Sequence, residues 1–307
     1  MKDVHLVVVI VTYNGEDFIR KCIESILNSN KNADIVVIDN NSSDETVSII
    51  RESFTSVHLI ESSSNLGFGR ANNIGINWAI SNGAEFILLL NQDAWIEEDT
   101  LSKLIAIARK HDEYGILSPI HCQYDNNTWH AGFSRYIQMF APLLSESAPS
   151  SIENTLYEVD FVPAALWLLR SSTLQKVGGF DPVYFMYGED NDLASRMHSA
   201  GFKVGVVSDA KGHHLEKTYT QVPVRRMALQ YFSQFVAVLK YSHHNILYRY
   251  FSALKSAILR SFSHVFKGEV RKLLATLMAC RMVFCYLNRI EKSRKEIKWT
   301  QGAFLDL

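Results

Sequence analysis

The side chains able to do chemistry in this chain fall in a few short polar clusters. Asp93 follows the apolar run Phe86 to Leu90 and sits in Asn91-Gln92-Asp93-Ala94. A carboxylate placed there suits a hard cation such as Mg²⁺ or Mn²⁺, which prefers oxygen ligands and bridges to a diphosphate. Asp39 opens the run Asp39-Asn40-Asn41-Ser42-Ser43-Asp44, whose carboxylates and amides suit the polar edges of a nucleobase and a ribose. The stretch Asn65-Leu66-Gly67-Phe68-Gly69-Arg70-Ala71-Asn72-Asn73 is glycine-rich and precedes a helix. Glycines permit close backbone approach, helix N-termini favour phosphate, and Arg70 adds a cation. It is neither a Walker loop nor a dinucleotide fingerprint, because the required glycine spacing and the Lys-Ser/Thr pair are missing. Tyr187-Gly188-Glu189-Asp190-Asn191-Asp192-Leu193 gathers three carboxylates where a helix begins, and one of them could take a proton from an attacking hydroxyl. His213 and His214 follow a predicted strand, and an imidazole could complete an oxygen-rich metal site begun by Asp93. Each cluster also has an ordinary structural reading: Asp93 as a turn residue, Asp39 as part of a turn and cap, the 187–193 carboxylates as dipole-favourable capping, and the histidines as core residues.

What decides between the two kinds of reading is where the elements place these clusters. Leu6 to Val11 is a short β-branched run and reads as a buried strand, followed by the polar turn Thr12-Tyr13-Asn14-Gly15. Phe18, Ile19, Cys22, Ile23, Ile26 and Leu27 then repeat at helical spacing. Ile35 to Ile38 and Val57 to Ile60 read as further strands. Ser42 with Glu45 reads as a capping box opening a helix to about Arg51. Ala71, Ile74 and Trp78 mark another helix, closed by Asn82-Gly83. Strand and helix alternating in this way predict an α/β fold: a mostly parallel, Rossmann-like sheet with helices on both faces. Ligands bind such sheets beyond the carboxyl ends of the strands. Thr12 to Asn14, Asp39 to Asn41 and Asn91 to Asp93 all fall at such ends, so polar residues from distant segments converge on one edge.

After about Thr100 the pattern is mixed. A helix through Leu101, Leu104, Ile105 and Ala108 leads to shorter pieces, residues 141–155 read as a mobile loop, and Phe161 to Leu169 reads as a strand. The turn Gly178-Gly179-Phe180-Asp181-Pro182 precedes a helix over Glu189 to Ser199, which Gly201 stops. From Val222 the chain reads as helical, aromatic and basic.

Composition is that of a folded protein: 307 residues, 47% apolar and 21% charged, which excludes a disordered chain. The net charge of −1 hides an asymmetry. From Arg225 onward 15 Lys and Arg face 4 Asp and Glu, a balance of +11 that leaves −12 for the first 224 residues. An acidic body with a basic tail suggests that the tail meets an anionic surface. Aromatic residues interleave with its cations, as suits an anionic lipid interface, and an ordinary packed helix pair or a homodimer face is the competing reading. Nothing resembles a nucleic-acid recognition module. The four cysteines lack paired spacing, which points to a reducing compartment without a zinc site. The longest apolar stretch, Leu273 to Leu287, is interrupted by Arg281. The expectation is a cytoplasmic protein, peripheral at the inner face of the cell membrane.

The order of the clusters resembles the inverting glycosyltransferases of family two, which have the GT-A fold, and the resemblance covers roughly residues 4–220. Val9-Ile10-Val11-Thr12-Tyr13-Asn14 looks like the family's opening strand and first nucleotide contact, and Val37 to Asp44 like its second signature, in which Asp39 would contact a uracil- or thymine-type base. Asn65 to Asn73 resembles the rhamnosyltransferase-like branch. Asn91-Gln92-Asp93 occupies the place of the Asp-X-Asp motif, with Asn91 in place of its first Asp. Gly178 through Leu193 matches the acceptor-side signature, which makes Asp190 the expected base. His214 lies close to where members place a metal-binding histidine, with His213 one residue off. The surrounding Gly212-His213-His214-Leu215 departs from the usual apolar-His-Gly pattern.

The resemblance thus implies an enzyme that moves a sugar, with rhamnose the leading expectation, from a dTDP- or UDP-linked donor to a glycan or lipid-linked acceptor in cell-surface polysaccharide synthesis. Asp190 is the expected catalytic base. Thr12, Tyr13, Asn14, Asp39, Asn41, Asn65, Gly67, Arg70, Asn72 and Gln92 are the expected nucleotide-sugar contacts, and Trp167 and Glu189 lie on the acceptor side. Asp93 and His214, or His213, are the expected ligands of Mg²⁺ or Mn²⁺. Residues 1–100 would bind the nucleotide sugar, 101–220 would form the acceptor half of the same domain, and 221–307 would be a helical basic extension. A sugar nucleotidyltransferase would want a Gly-rich loop with Arg directly after the first strand, which Thr12-Tyr13-Asn14-Gly15 does not supply. A non-catalytic nucleotide-sugar-binding protein is the other alternative, and intact Asp93 and Asp190 argue against it.

Overall fold

The structure is a computed structural model that describes residues 4–125, 128–140, 155–215, 221–241, 245–299 and 302–305. In chain order the elements are β1 (Leu6–Thr12), α1 (Ile19–Leu27), β2 (Asp34–Asp39), α2 (Thr46–Ser53), β3 (His58–Glu61), α3 (Phe68–Ser81), β4 (Phe86–Asn91), β5 (Ala94–Ile96), α4 (Thr100–Ala108), β6 (Tyr114–Gln123), α5 (Ala131–Phe140), β7 (Leu156–Val159), β8 (Leu166–Arg170), α6 (Ser171–Val177), α7 (Glu189–Ser199), β9 (Lys203–His214), α8 (Val224–Tyr241), α9 (Ile246–Phe266) and α10 (Val270–Trp299). All but the last of the residues expected to form the 141–155 loop lie outside the described residues.

The strands form one sheet in the order β3-β2-β1-β4-β8-β6-β9-β5, with β7 also paired to β9. The first four strands are parallel, and their register sets Thr12 beside Asp39 and Val11 beside Asn91. This delivers the expected convergence of β1, β2 and β4 at one sheet edge. Beyond β4 the sheet is mixed: β8 runs antiparallel to both β4 and β6, while β6 and β9 are parallel. The apolar alternation of the strands supplies two cores, one on each face. Val7, Val9, Val36 and Leu89 pack with residues of α3, α5, α6 and α7. Leu6, Val8, Ile10 and Leu88 pack with residues of α1, α2 and α4, including Cys22. All four cysteines are free thiols.

The capping box expected from Ser42 and Glu45 does not form. Ser42 Oγ instead accepts from the Asn14 amide at 2.9 Å, and the Asp44 carboxylate accepts from the Thr46 amide at 3.1 Å. The hydroxyl is therefore spent on joining the β1 loop to the β2 loop, and the helix starts at Thr46.

A third core lies between α8, α9 and α10, built on Phe232, Phe235, Val236, Leu239, Ala253 and Ile290, and it includes Val183 and Tyr184 of the segment leading to α7. The helical extension is therefore packed against the acceptor-side turn. Residues Val270–Ile297 of α10 are long and apolar enough to cross a membrane by length and composition, although Arg281 interrupts the apolar stretch.

Candidate active site

At the β1 end, Gln92 ties two strands together. Its Oε1 accepts from Thr12 Oγ1 at 2.6 Å and from the Tyr13 amide at 2.8 Å, while its Nε2 donates to the Tyr13 carbonyl at 3.2 Å. Asn14 (φ 48°) and Asn41 (φ 69°) adopt the left-handed conformation that Asn tolerates better than most residues. The Asn14 side chain accepts from the Ser43 amide at 2.9 Å. Between these loops lies Asp39, only 3% exposed. One of its oxygens accepts from the Ser42 amide at 3.0 Å, and the other, Oδ1, is buried without a hydrogen-bond partner among the described residues. A buried carboxylate oxygen without a donor is costly, and the N–H of a pyrimidine base is the kind of donor that would satisfy it.

Asn40 proves to be the residue that organises this edge. Its side chain donates to Asn65 Oδ1 and to the Gly67 carbonyl, and accepts from the Leu66 amide at 2.7 Å. Gly67 takes φ 83°, and a Cβ there would lie 2.1 Å from the Phe185 carbonyl oxygen. This glycine therefore serves the approach of α3 to the acceptor-side turn. Arg70 and Asn72 point the same way. The Arg70 guanidinium donates to the Pro182 carbonyl at 2.7 and 3.1 Å, and the buried Asn72 amide donates to the Phe68 carbonyl one turn back at 3.0 Å. Helix α3 thus spends these polar groups on the protein itself, and Arg70 lines a cavity with Asp181, Arg289 and Lys292 in place of one facing Asp93. Trp167 also departs from its expected acceptor-side place. It is fully buried in the sheet core, its indole donates to the Val162 carbonyl at 3.1 Å, and it stacks on Phe180.

The two histidines occupy consecutive positions of β9 and so point to opposite faces. His213 is 2% exposed, stacks on Trp95 at 3.7 Å, and places Nδ1 2.9 Å from the Gln123 carbonyl and Nε2 3.4 Å from Glu97. His214 pairs with Ala94 in the β5–β9 ladder, and its Nε2 lies 3.3 Å from Asp93 Oδ1 and 3.4 Å from Asn91 Nδ2. His130, which sequence spacing did not single out, lies with its ring 5.4 Å from that of His214. No group of three or more His, Cys, Asp or Glu side chains able to hold a metal occurs among the described residues. Asp93 and His214 fit a divalent cation as a two-donor set, one carboxylate and one imidazole, with the rest of its shell left to water and a diphosphate.

The structure separates the three carboxylates of the 187–193 cluster. Asp192 is fully buried and paired: Arg196 Nε donates to it at 2.8 Å, Tyr241 Oη at 2.7 Å, and Lys240 bridges it to Asp181. Burial alone would raise its pKa, but Lys240 and Arg196 hold it below the usual carboxylate range. Glu189 is 5% exposed, and one of its oxygens has no partner among the described residues. Burial, followed by the nearby Asp190 charge, pushes its pKa up to about 8. Asp190 is half-buried and accepts from the Asn191 amide at 2.8 Å and side chain at 3.2 Å. Desolvation raises its pKa, against the lowering effect of those hydrogen bonds. Asp190 is thus the member of the cluster that is neither ion-paired among the described residues nor fully buried, and it lines an open cavity.

A model of glycosyl transferase family 2 matches residues 7–176, more than half of the chain. The chain belongs to that family. Among its relatives, an N-acetylglucosaminyl-diphospho-decaprenol L-rhamnosyltransferase of Mycobacterium tuberculosis is 26% identical over 263 residues, covering 77% of this chain and 84% of that one. The low-salt glycan biosynthesis hexosyltransferase Agl10 of Haloferax volcanii is 26% identical over 203 residues, covering 65% of this chain and 64%, just under two thirds, of that one. The fold is shared with GalNAc-T7, solved with UDP, GalNAc and Mn²⁺, at a TM-score of 0.67 and 13% identity over 98% of this chain and 55% of that one. These findings bear out the expected family and its GT-A fold, and with them the enzyme class, a glycosyltransferase.

Proposed function

We propose that this family 2 member transfers a deoxyhexose of the rhamnose type from a dTDP- or UDP-linked donor to a lipid-linked glycan acceptor, with inversion at the anomeric carbon. The observation that carries this reading is the sorting of the acidic residues. Asp39 has an unpartnered buried oxygen, Asp93 sits against His214, and Asp190 faces a cavity with its charge unpaired by any cation among the described residues. In this reading residues 1–100 hold the nucleotide sugar, 101–220 the acceptor, and 221–307 extend the acceptor side. The names of the relatives support the sugar and the lipid-linked acceptor.

Asp39 holds the base, and Thr12, Tyr13, Asn14, Asn41 and Gln92 shape the rim around the nucleoside. Asp93 and His214 would hold Mg²⁺ or Mn²⁺, which neutralises the charge of a leaving diphosphate when bound. Asp190 accepts the proton of the attacking acceptor hydroxyl, and its raised pKa makes it a better base than an exposed aspartate. His213, held by Gln123 and Trp95 on the face of β9 opposite His214, would steady the β5–β9 pair.

The extension supplies the membrane side. Helix α9 exposes Leu247, Phe251, Phe262 and Phe266, and α10 exposes Leu277 and Phe284, among Lys255, Lys267, Arg271, Lys272 and Arg281. Large apolar side chains beside cations suit an anionic lipid surface at the cytoplasmic face of a membrane, where a lipid-linked acceptor is presented. Co-flotation with vesicles containing phosphatidylglycerol, lost in a Phe262→Glu, Phe266→Glu variant, is the expected result, and a concentration-dependent dimer that ignores vesicles would replace it.

The experiment for the function is a donor panel assayed with Mn²⁺ or Mg²⁺ against EDTA, together with calorimetric binding of the nucleoside diphosphates. Release of one nucleoside diphosphate, with affinity that depends on cation and falls in Asp93→Ala, is expected. Binding without turnover on any donor and acceptor would turn the reading toward a non-catalytic nucleotide-sugar-binding protein.

A further inference from the structure

The cavity that holds Asp190 measures about 740 Å³ and lies between the start of α7 and one face of α8. Tyr136, Tyr187 and Glu189 line it beside Asp190, and Gln230, Ser233 and Gln234 of α8 form the opposite wall. The extension is therefore part of the site's boundary and not only a tail behind it.

The contact between the two sides is specific. Gly188 takes φ 95°, and a Cβ there would lie 2.6 Å from Ser233 Cβ, so α8 seats directly on the turn that begins the helix of Asp190. Tyr187, a non-glycine residue at φ 70°, is held in that strained conformation with the Arg226 guanidinium of α8 5.2 Å from its ring centre. Lys240 at the far end of α8 bridges Asp181 and Asp192. The helix is thus fixed at both ends of the cavity.

The chemistry of the lining indicates what it takes. No Lys or Arg is among the described residues that line it, and Glu189, Asp190 and Asp192 make the lining acidic, which favours an uncharged ring over an anionic group inside it. It offers phenol rings, amides and the Ser233 hydroxyl, whose proton goes to the Gln230 backbone carbonyl at 2.9 Å and whose oxygen is left as an acceptor. Gln234 Oε1 is occupied by Arg260 at 2.6 Å, which leaves its N–H₂ as the donor. The Gln230 side chain has no hydrogen bond among the described residues. Glu189, 95% buried, keeps one oxygen without a partner. Aromatic faces beside amide and hydroxyl groups are the means by which proteins hold neutral sugar rings, through apolar ring faces and directional hydrogen bonds.

We propose that α8 forms the selective wall of the acceptor site, and that Gln230 and Ser233 recognise a neutral pyranose beside the hydroxyl that Asp190 deprotonates. This rests on Asp190 as the base, and it assigns acceptor choice to the helical extension, which lies outside the stretch matched by the family model.

The test uses the full chain and the member of a panel of neutral alkyl pyranosides and N-acetylglucosaminyl-diphospho-alkyl lipids that the wild type glycosylates. Gln230→Ala and Ser233→Ala should each raise the acceptor KM by about 5- to 30-fold, the range for one or two lost hydrogen bonds, with donor KM unchanged. Arg225→Ala, on an exposed position of α8 away from the cavity, should leave acceptor KM as it is. Saturation-transfer NMR contacts between the pyranoside and the protein should weaken in Gln230→Ala. Acceptor KM unmoved in both cavity variants of an active enzyme would overturn the assignment of α8. An inactive wild type, silent with every donor and acceptor, would instead count against the glycosyltransfer reading beneath it.

Discussion

Glu189→Gln isolates the most perturbed carboxyl of the site. In the folded protein Glu189 titrates near 8, against 4.5 for an unperturbed glutamate, with burial as the main cause. Between those values the native state holds a proton that the unfolded chain has released, so stability is present in full below 4.5 and declines as pH rises toward 8. The slope is about 1.4 kcal/mol per pH unit, and from pH 5 to pH 7 the loss comes to about 2.5 kcal/mol. Glutamine has nearly the same shape and does not titrate, so the variant escapes that loss. For a chain of this length the unfolding entropy converts it to a gain of about 4 °C in the variant's Tm relative to wild type across that interval. Thermal unfolding followed by circular dichroism at half-unit steps from pH 5 to pH 7.5 reads it directly. Wild-type and variant Tm curves that stay parallel over this range would refute the claim that Glu189 is held protonated.

Two further perturbations probe other parts of the account. Lys240→Met leaves Asp181 and Asp192 buried without their shared cation, which should cost about 3–5 kcal/mol; urea unfolding checks it, and a change below 1 kcal/mol would show that the Lys240 bridge does not hold the extension to α7. Asp39→Ala removes the carboxylate whose free oxygen is assigned to the base, and nucleoside diphosphate affinity should fall by about 10- to 150-fold in calorimetry. Unchanged affinity would place the base elsewhere.

Much of the nucleotide half was legible in the sequence because its logic is local. Each strand is a short apolar run, each ends in polar residues, and parallel pairing follows from the helix between consecutive strands. Thr12, Asp39 and Asn91 therefore meet at one edge as expected. The second half was less legible, since the direction of β8 is set by pairing with β4 and β6 and not by anything in Leu166 to Arg170. Trp167 alternates into the core for the same reason. The three acidic residues after Gly188 are indistinguishable by spacing. What separates them is Lys240, 48 residues beyond Asp192, together with the burial of Glu189. Arg70 and Asn72 read as ligand-facing because they sit at the start of a helix, yet their partners are the carbonyls of Pro182 and Phe68. Ser42 read as a cap and instead serves Asn14. Asn40 was hidden among neighbours of the same type.

The central claim is that Asp190 takes the proton in a single transfer step. Its most direct test is single-turnover transfer with Asp190→Asn, measured alongside donor affinity of the same preparation. The account predicts a loss of about 10²- to 10⁴-fold in the transfer rate, the usual contribution of a general base, with the donor Kd unchanged. Transfer at the wild-type rate with intact donor binding would contradict it and assign the proton to another group.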